Sequence, residues 1–380
     1  MKILLIGEYS NVHWTLAEGL RALGHQVTVV SDGDRWKNYP RDIDLRRGPL
    51  HSKFSTLKYL WDIARVWPQL RGYDIVQFIN PVFLDLKAER LWPFYRYLKK
   101  HNGRVFLGAF GIDHFWVKVG MDCKTFRYSD FNFGNQLRDY PFMHTMIRDW
   151  LHGPKGELNL RIADDCDGII TGLCEYEMCY RPFYPEKTRF IPFPINIKAV
   201  NPTEHVSADY ANEEALRFFI GIQRSRSSYK GTDIMLSALE RLEKDCGKER
   251  VEIVKAENVP FAEYQQMMNS SHVLLDQLYS YTPAMNGLLA MSKGLILVGG
   301  GEPEHYDLLG EHELRPIINV QPNEQDVYDQ IANRLLSGKE DVRQLQLDSI
   351  EYIRRHHDHI KVAQQYLDFY TNKMSAVPVS

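Results

Sequence analysis

The sequence lacks the marks of several protein classes. Its five cysteines, at 123, 166, 174, 179 and 246, include no Cys-x-x-Cys pair. An odd count without paired spacing argues against a disulfide framework and predicts reduced, structural thiols in the cytosol. No apolar run approaches the length of a membrane span. Met1 and Lys2 lead straight into a strand-length apolar run, too short for the core of a secretory signal. The net charge is −3, so no overall basic field pulls the chain toward nucleic acid. No Gly-x-Gly-x-x-Gly follows the first strand, where Gly7 stands alone, which argues against a nicotinamide oxidoreductase. Internal repeats and low-complexity tracts are absent.

What is present suffices for two domains. The chain has 380 residues, 44% of them hydrophobic and 25% charged, a balance that buries a core rather than leaving a disordered chain. Lys2 to Ile6, a turn over Gly7 to Val12, a helical pattern from His13 to Leu23 and the run Gln26 to Val30 make a βαβ unit. That predicts an α/β class with doubly wound, mostly parallel sheets. Further strands are expected at Tyr73 to Ile79, Val105 to Phe110, Gly168 to Thr171 and Arg189 to Pro194. Pro192, Pro194 and Asn196 mark a crossing into a second domain.

The densest stretch runs from 273 to 309. Val273 to Leu275 is a short strand ending at Asp276, followed by a loop, a helical pattern from Asn286 to Ser292 and a second strand, Leu295 to Val298. Gly299, Gly300 and Gly301 come next, then Glu302, Pro303 and Glu304. Ligands of open α/β sheets bind outside the carboxyl ends of the strands. Three glycines let backbone come close to a ligand and turn N–H groups toward an anion. The two carboxylates after them are suited to the hydroxyls of a sugar or ribose. A second basic loop, Gly221 through Arg224, Arg226, Lys230 and Gly231, sits between the strand Arg217 to Ile220 and the helix Asp233 to Leu242. Cations and backbone donors converge there, and a diphosphate is the natural guest.

Leu289, Ala290, Met291, Ser292, Lys293 and Gly294, the strand after them, the glycines and Glu304 resemble the donor half of GT-B glycosyltransferases of the family 4 type. Those enzymes carry Glu-Ala-Met-Ala-x-Gly, an apolar strand and Gly-Gly-x-x-Glu. The resemblance implies two Rossmann-like domains facing a cleft, with a C-terminal helix crossing back to the first. The expected boundaries are an acceptor domain over 1–196 with an insertion at about 118–160, a nucleotide-sugar donor domain over 197–350, and the returning helix over 351–380. It also implies transfer of a sugar from a nucleotide-sugar to a glycan or lipid-linked acceptor, making a surface or storage glycan, with no metal, no further cofactor and retention of configuration. Lys230 and Gly231 match the family's phosphate-binding Lys-Gly. The family arginine would fall on Ser225, so Arg224 or Arg226 takes its role. Asp113 matches the Asp of a cleft-facing His-Gly-x-Asp in which Phe110 replaces the histidine. Glu8, Asn11, His13 and His114 lie on the acceptor side. The two family glutamates, with seven residues between them, fall on Tyr281 and Leu289. Asp276, Asn286, Glu302 or Glu304 is left to take their roles at the sugar. That departure keeps open a non-catalytic partner subunit that binds sugar nucleotides, and a nucleotide-sugar epimerase shares the same donor site.

Three other features carry competing readings. Residues 118 to 160 hold many aromatics with little regular period, as either an acceptor-side insertion or an extra helical layer. Residues 84 to 104 interleave Lys87, Arg90, Arg96, Lys99, Lys100 and Arg104 with Trp92, Phe94, Tyr95 and Tyr97. Such a helix suits an anionic membrane surface, at the inner face for a lipid-linked acceptor, or the solvated face of a Rossmann layer. His356, His357 and His359 lie within a long helical pattern, Leu345 to Tyr370, where near-adjacent residues point in different directions and make a poor metal site.

Overall fold

The computed structural model describes residues 1–48, 53–200, 215–224, 227–338 and 341–371. In chain order their strands are β1 Lys2–Ile6, β2 Gln26–Ser31, β3 Ile43–Asp44, β4 Ile75–Phe78, β5 Arg104–Ala109, β6 Asn132–Phe133, β7 Gln136–Leu137, β8 Gly168–Thr171, β9 Thr188–Phe190, β10 Leu216–Ile222, β11 Val251–Glu257, β12 Val273–Leu275, β13 Ile296–Gly299 and β14 Ile318–Asn319. Every residue of β4, β8, β12 and β13 is buried. Continuous apolar runs produce this pattern when helices cover both faces of a parallel sheet.

The chain forms two compact units. One comprises Met1–Val119, Met146–Pro194 and the chain from His359 on; the other comprises Gly120–Thr145 and Ile195–Asp358. The first is built on a seven-stranded sheet in the order β3-β2-β1-β4-β5-β8-β9. The second is built on a five-stranded sheet in the order β11-β10-β12-β13-β14. Every neighbouring pair in both sheets is parallel. In each sheet the winding direction reverses beside the first strand, at β1/β4 and at β10/β12. Such reversals open a crevice at the carboxyl ends of the strands.

The segment read as a 118–160 insertion divides between the units. Its first part, Gly120–Thr145, carries the β6–β7 hairpin and belongs with the second unit rather than the first. The remainder is helical, within Pro141–Trp150 and Pro154–Asp165.

The expected single helix over 345–370 is two helices, Val342–His356 and His359–Thr371. The break lies at His357, and the Ile195 N–H donates to its carbonyl at 2.7 Å. Ile195 and Asp358 also pair as a parallel bridge. No proline or glycine interrupts the apolar period here, so pairing with a distant segment makes the break. The helix over Leu91–His101 directs its aromatics into its own unit. Tyr95 is buried and its hydroxyl donates to Asp165 Oδ2 at 2.8 Å, while Trp92 stacks on Tyr95. Phe94 and Tyr97 contact Trp67. Arg96 and Lys100 stay exposed.

The helix His359–Thr371 lies against Val12–Ala22 in the first unit, and Gly19 permits the approach. A Cβ on Gly19 would meet the His359 carbonyl oxygen and stand 2.9 Å from Ala363 Cβ. A solvent-facing helical Gly→Ala change stabilises by about 1 kcal/mol. Gly19→Ala is expected to do the opposite, because overpacking costs about 1–3 kcal/mol. A lowered thermal midpoint is the expected result, and an unchanged or raised one would show that the helix pair has room.

Candidate active site

At the carboxyl ends of β10, β12 and β13, three loops meet. The loop after β12, residues 276 to 283, is the common neighbour. The Leu278 N–H donates to the Lys230 carbonyl at 2.9 Å, fixing this loop to the end of the basic loop. Gly231 follows with φ of 73°, a left-handed position, and a Cβ there would stand 2.7 Å from Leu278 and 2.9 Å from Tyr279. Only glycine meets both demands without strain. On the other side, Gly300 faces the Ser280 carbonyl, and a Cβ on Gly299 would be 3.2 Å from the Gln277 carbonyl. The glycine run is therefore spent on backbone packing.

The N–H groups expected to face an anion are partly taken. Gly301 donates to Asn319 Oδ1 at 3.0 Å and Glu302 donates to the Tyr281 carbonyl at 3.1 Å. Lys230 is half-buried at the end of the short helix Ser227–Lys230. Arg224 is exposed and paired with Glu257 at the end of β11. Arg226 lies outside the described residues. Asp276 is buried at the end of β12; Asn286 donates to it at 3.4 Å and to the Tyr264 hydroxyl at 3.0 Å. The Tyr264 ring also closes on Gly221, whose Cβ would lie 2.8 Å from it. Gly221, Asp276 and Asn286 are thus brought together, with Tyr264 as an unforeseen link.

The two carboxylates after the glycines have unexpected partners. Glu302 is buried and accepts from the Tyr128 hydroxyl at 2.5 Å, Gln321 Nε2 at 2.8 Å and Arg127 Nη2 at 2.7 Å. Burial alone would raise its pKa, but hydrogen bonds from Tyr128, Asn319 and Gln321 and the Arg127 charge hold the carboxyl below its usual range. Glu304 is more open and pairs with both Arg127 Nη atoms, chiefly through a hydrogen bond that also lowers its pKa. The Arg127 N–H donates to the Tyr281 hydroxyl at 2.7 Å, and its guanidinium lies 4.8 Å from the Tyr281 ring centre. Arg138 lies 3.4 Å from the Tyr279 ring centre and donates to the Ser228 and Tyr229 carbonyls. Two arginines of Gly120–Thr145, each over a tyrosine of the 276–283 loop, strap this segment to the site. The sequence signals were the aromatic and basic run after 118 and the Tyr279-x-Tyr281 pair. Their pairing is too distant in sequence for local pattern to show it.

The residues expected on an acceptor side follow the ends of β1 and β5 in the first unit. Glu8 is buried and accepts from the His13 and Trp14 N–H groups at 3.2 and 2.9 Å, capping the helix Val12–Ala22. Asn11 is left-handed, with φ of 70°, and donates to Thr15 Oγ1 at 3.2 Å. His13 is fully buried between the Gly7 carbonyl at 2.8 Å and Gln77 at 3.0 Å. Asp113 is fully buried too; it accepts from the Trp116 N–H at 2.9 Å and the Tyr180 hydroxyl at 2.7 Å. His114 Nδ1 lies 2.9 Å from the Trp150 carbonyl. His356 pairs with Glu311 at 2.8 Å, and among the described residues no three His, Cys, Asp or Glu side chains are grouped to share a metal.

No family model matches the sequence, and no curated protein matches it. Solved structures do match in fold. A sucrose-phosphate synthase from Thermosynechococcus elongatus aligns over 97% of this chain and 98% of its own, at 14% identity and a TM-score of 0.61. The catalytic domain of starch synthase IV from Arabidopsis thaliana, bound to ADP and acarbose, aligns over 98% and 99% at 11% identity and 0.58. HepE from Anabaena, in complex with UDP, aligns over 97% and 99% at 13% identity and 0.54. The chain has the GT-B fold, and its resemblance to the family 4 type holds at the level of the whole architecture.

Burial sets a pH dependence. Burial raises Glu8 from 4.5 to about 8 and Asp113 from 3.8 to about 7. Between those values the folded chain holds protons that the unfolded chain has released, so stability falls as pH rises. Burial lowers His13 and His305 from 6.5 to about 3, so their contributions are lost as pH falls below 6.5. The two pairs offset one another from about 4.5 to 6.5. Above 6.5 the histidines contribute no slope and Glu8 continues to about 8. The thermal midpoint is expected to decline from pH 6.5 to 8, and the decline should be largely absent in Glu8→Gln. A decline of equal size in that variant would remove Glu8 as its source.

Proposed function

We propose that this chain is a glycosyltransferase that moves a hexosyl or related group from a nucleotide-sugar to a glycan or lipid-linked acceptor. The observation that carries the reading is the fixing of Lys230 and Gly231 onto the 276–283 loop, beside the glycine turn, at the β10/β12 reversal. A cation on rigid backbone at that place suits the leaving diphosphate. Structures with the same fold carry ADP and UDP, nucleoside diphosphates of that class.

Glycosyl transfer breaks the bond from the anomeric carbon to phosphate through an oxocarbenium-like state. Lys230 takes the negative charge that builds on the departing oxygen. A preorganised charge of this kind is commonly the largest catalytic contribution. Asp276, at the end of β12, and the more open Glu304 are the carboxylates offered to a sugar or ribose in this reading, whereas the lone pairs of Glu302 are largely occupied. In this reading the reaction is metal-independent, needs no cofactor besides its substrate and retains configuration, as in the resembled family. Glu8, Asn11, His13, Asp113 and His114 then shape the acceptor side, Glu8 and Asp113 by holding the loops at the strand ends.

The proposed setting is the cytoplasm, at the inner membrane face when the acceptor is lipid-linked. No helix among the described residues is long and apolar enough to cross a membrane. Peripheral contact through 84–104 would rest on the exposed Lys87, Arg90, Arg96 and Lys100, since the aromatics there contact their own unit. A second reading, a silent sugar-nucleotide-binding subunit, is favoured by one observation: Tyr281, buried against Arg127, stands where the family has a sugar-contacting glutamate.

Thermal melting with UDP-, GDP-, ADP- and CMP-sugars, against NAD and NADP, tests the reading. Saturation at a hundredfold excess over Kd stabilises by about 2.7 kcal/mol. One sugar nucleotide is expected to raise the midpoint, and Lys230→Ala to abolish the rise. A response to NAD alone would sink the proposal. Binding without transfer or hydrolysis would select the silent subunit.

A further inference from the structure

The Arg127 cluster does more than fasten a loop. Glu302 is consumed by Tyr128, Gln321 and Arg127, and its side chain is 5% exposed. Glu304 is 35% exposed and Arg127 is 53% exposed. Each Glu304 oxygen accepts one hydrogen bond from Arg127, and a carboxylate oxygen has room for a second. Arg127 hydrogen-bonds these partners through Nη1 and Nη2 only; among the described residues its Nε–H and one Nη1–H donate to nothing. An acceptor and a donor therefore stand side by side, open to solvent, at the glycine turn. The pattern matches two neighbouring hydroxyls, one donating to the carboxylate and the next accepting from the guanidinium. The cluster's charge is one guanidinium against two carboxylates, a net of −1.

We propose that Arg127 and Glu304 together read adjacent hydroxyls of the donor sugar, so that the site takes a neutral hexose and rejects a uronic acid. This rests on the glycosyltransferase reading above. Arg127 comes from Gly120–Thr145, which the resembled motifs do not include, and it stands over Tyr281 where the motif has a glutamate. The guanidinium both positions Glu304 and offers its own donors. A sugar carboxylate at this place would enter a cluster of net charge −1, whose guanidinium is already matched by Glu302 and Glu304, and lose binding.

Titration calorimetry with UDP, GDP and ADP, their glucose conjugates and their glucuronate conjugates tests this. For whichever base binds, the wild-type protein is expected to hold the glucose conjugate at least about tenfold tighter than the glucuronate, the size of one charged hydrogen bond. Arg127→Ala should weaken the glucose conjugate about tenfold and leave the nucleoside diphosphate within about twofold. Arg127→Lys should recover part of the loss. Glu304→Gln, a mild change at a partly open site, should narrow the glucose-to-glucuronate ratio. The proposal is overturned by preference for the glucuronate, by parallel losses of nucleotide and conjugate in Arg127→Ala, or by no change in either variant. Nucleotide binding with any of those outcomes spares the glycosyltransferase reading; absence of all nucleotide binding in the wild type overturns both.

Discussion

Glu302 is a buried carboxylate with hardly a lone pair to spare, and the second unit's site is arranged around it. A charge taken out of water must be matched by donors or it destabilises the fold. Here Tyr128, Gln321 and Arg127 supply those donors, and they come from two parts of the chain far apart in sequence. Meeting that electrostatic demand brings Gly120–Thr145 onto the strand ends. It also settles where the glycine turn sits, because the Glu302 N–H is tied to Tyr281, which receives Arg127. One satisfied charge thereby fixes three loops.

Backbone packing does the rest. Gly231 and Gly300 let the basic loop and the glycine turn press on the same 276–283 segment from two sides. The loops there are held by main chain as well as by the Arg127 and Arg138 side chains, which suits a site that must keep its shape as charge moves. The backbone of Lys230 is fixed by Leu278, while its half-buried side chain makes no hydrogen bond among the described residues. The first unit shows the contrasting style. Glu8, His13 and Asp113 are buried with main-chain and tyrosine partners, so they shape loops at the strand ends.

How much of this was legible follows from what is local. The longer strands were legible, since each is an apolar run of the right length between turn residues, and parallel winding follows from alternation with helices; the two-residue strands β3, β6, β7 and β14 were not, being too short to show a period. Gly221, Gly231, Asp276, Asn286 and the glycine triplet were legible as parts of one site because they punctuate strand ends. Arg127, Tyr128, Arg138, Tyr264 and Gln321 were not, because their partners lie elsewhere in the chain and no short-range period encodes the pairing. The break at His357 was hidden for the same reason: the apolar period runs through it, and only Ile195 interrupts the helix. Glu302 and Glu304 were read as free carboxylates because nothing local announces the arginine that engages them.

The first unit includes the helix Val12–Ala22 and, much later in the sequence, the helix starting at His359, whose Tyr370 hydroxyl donates to Gln77 at 2.5 Å and so reaches the His13 network. During synthesis at roughly 5–20 residues per second, the interval between residue 119 and that helix is on the order of tens of seconds. Throughout it, the apolar flank of Val12–Ala22 and the amide of Gln77 wait at the ribosome without their native cover. The second unit, almost wholly encoded in between, has its residues complete first. The helix Val12–Ala22 is therefore among the last parts of its unit to reach its final packing, and a nascent chain stalled before 359 would carry it uncovered, where chaperones can recognise it.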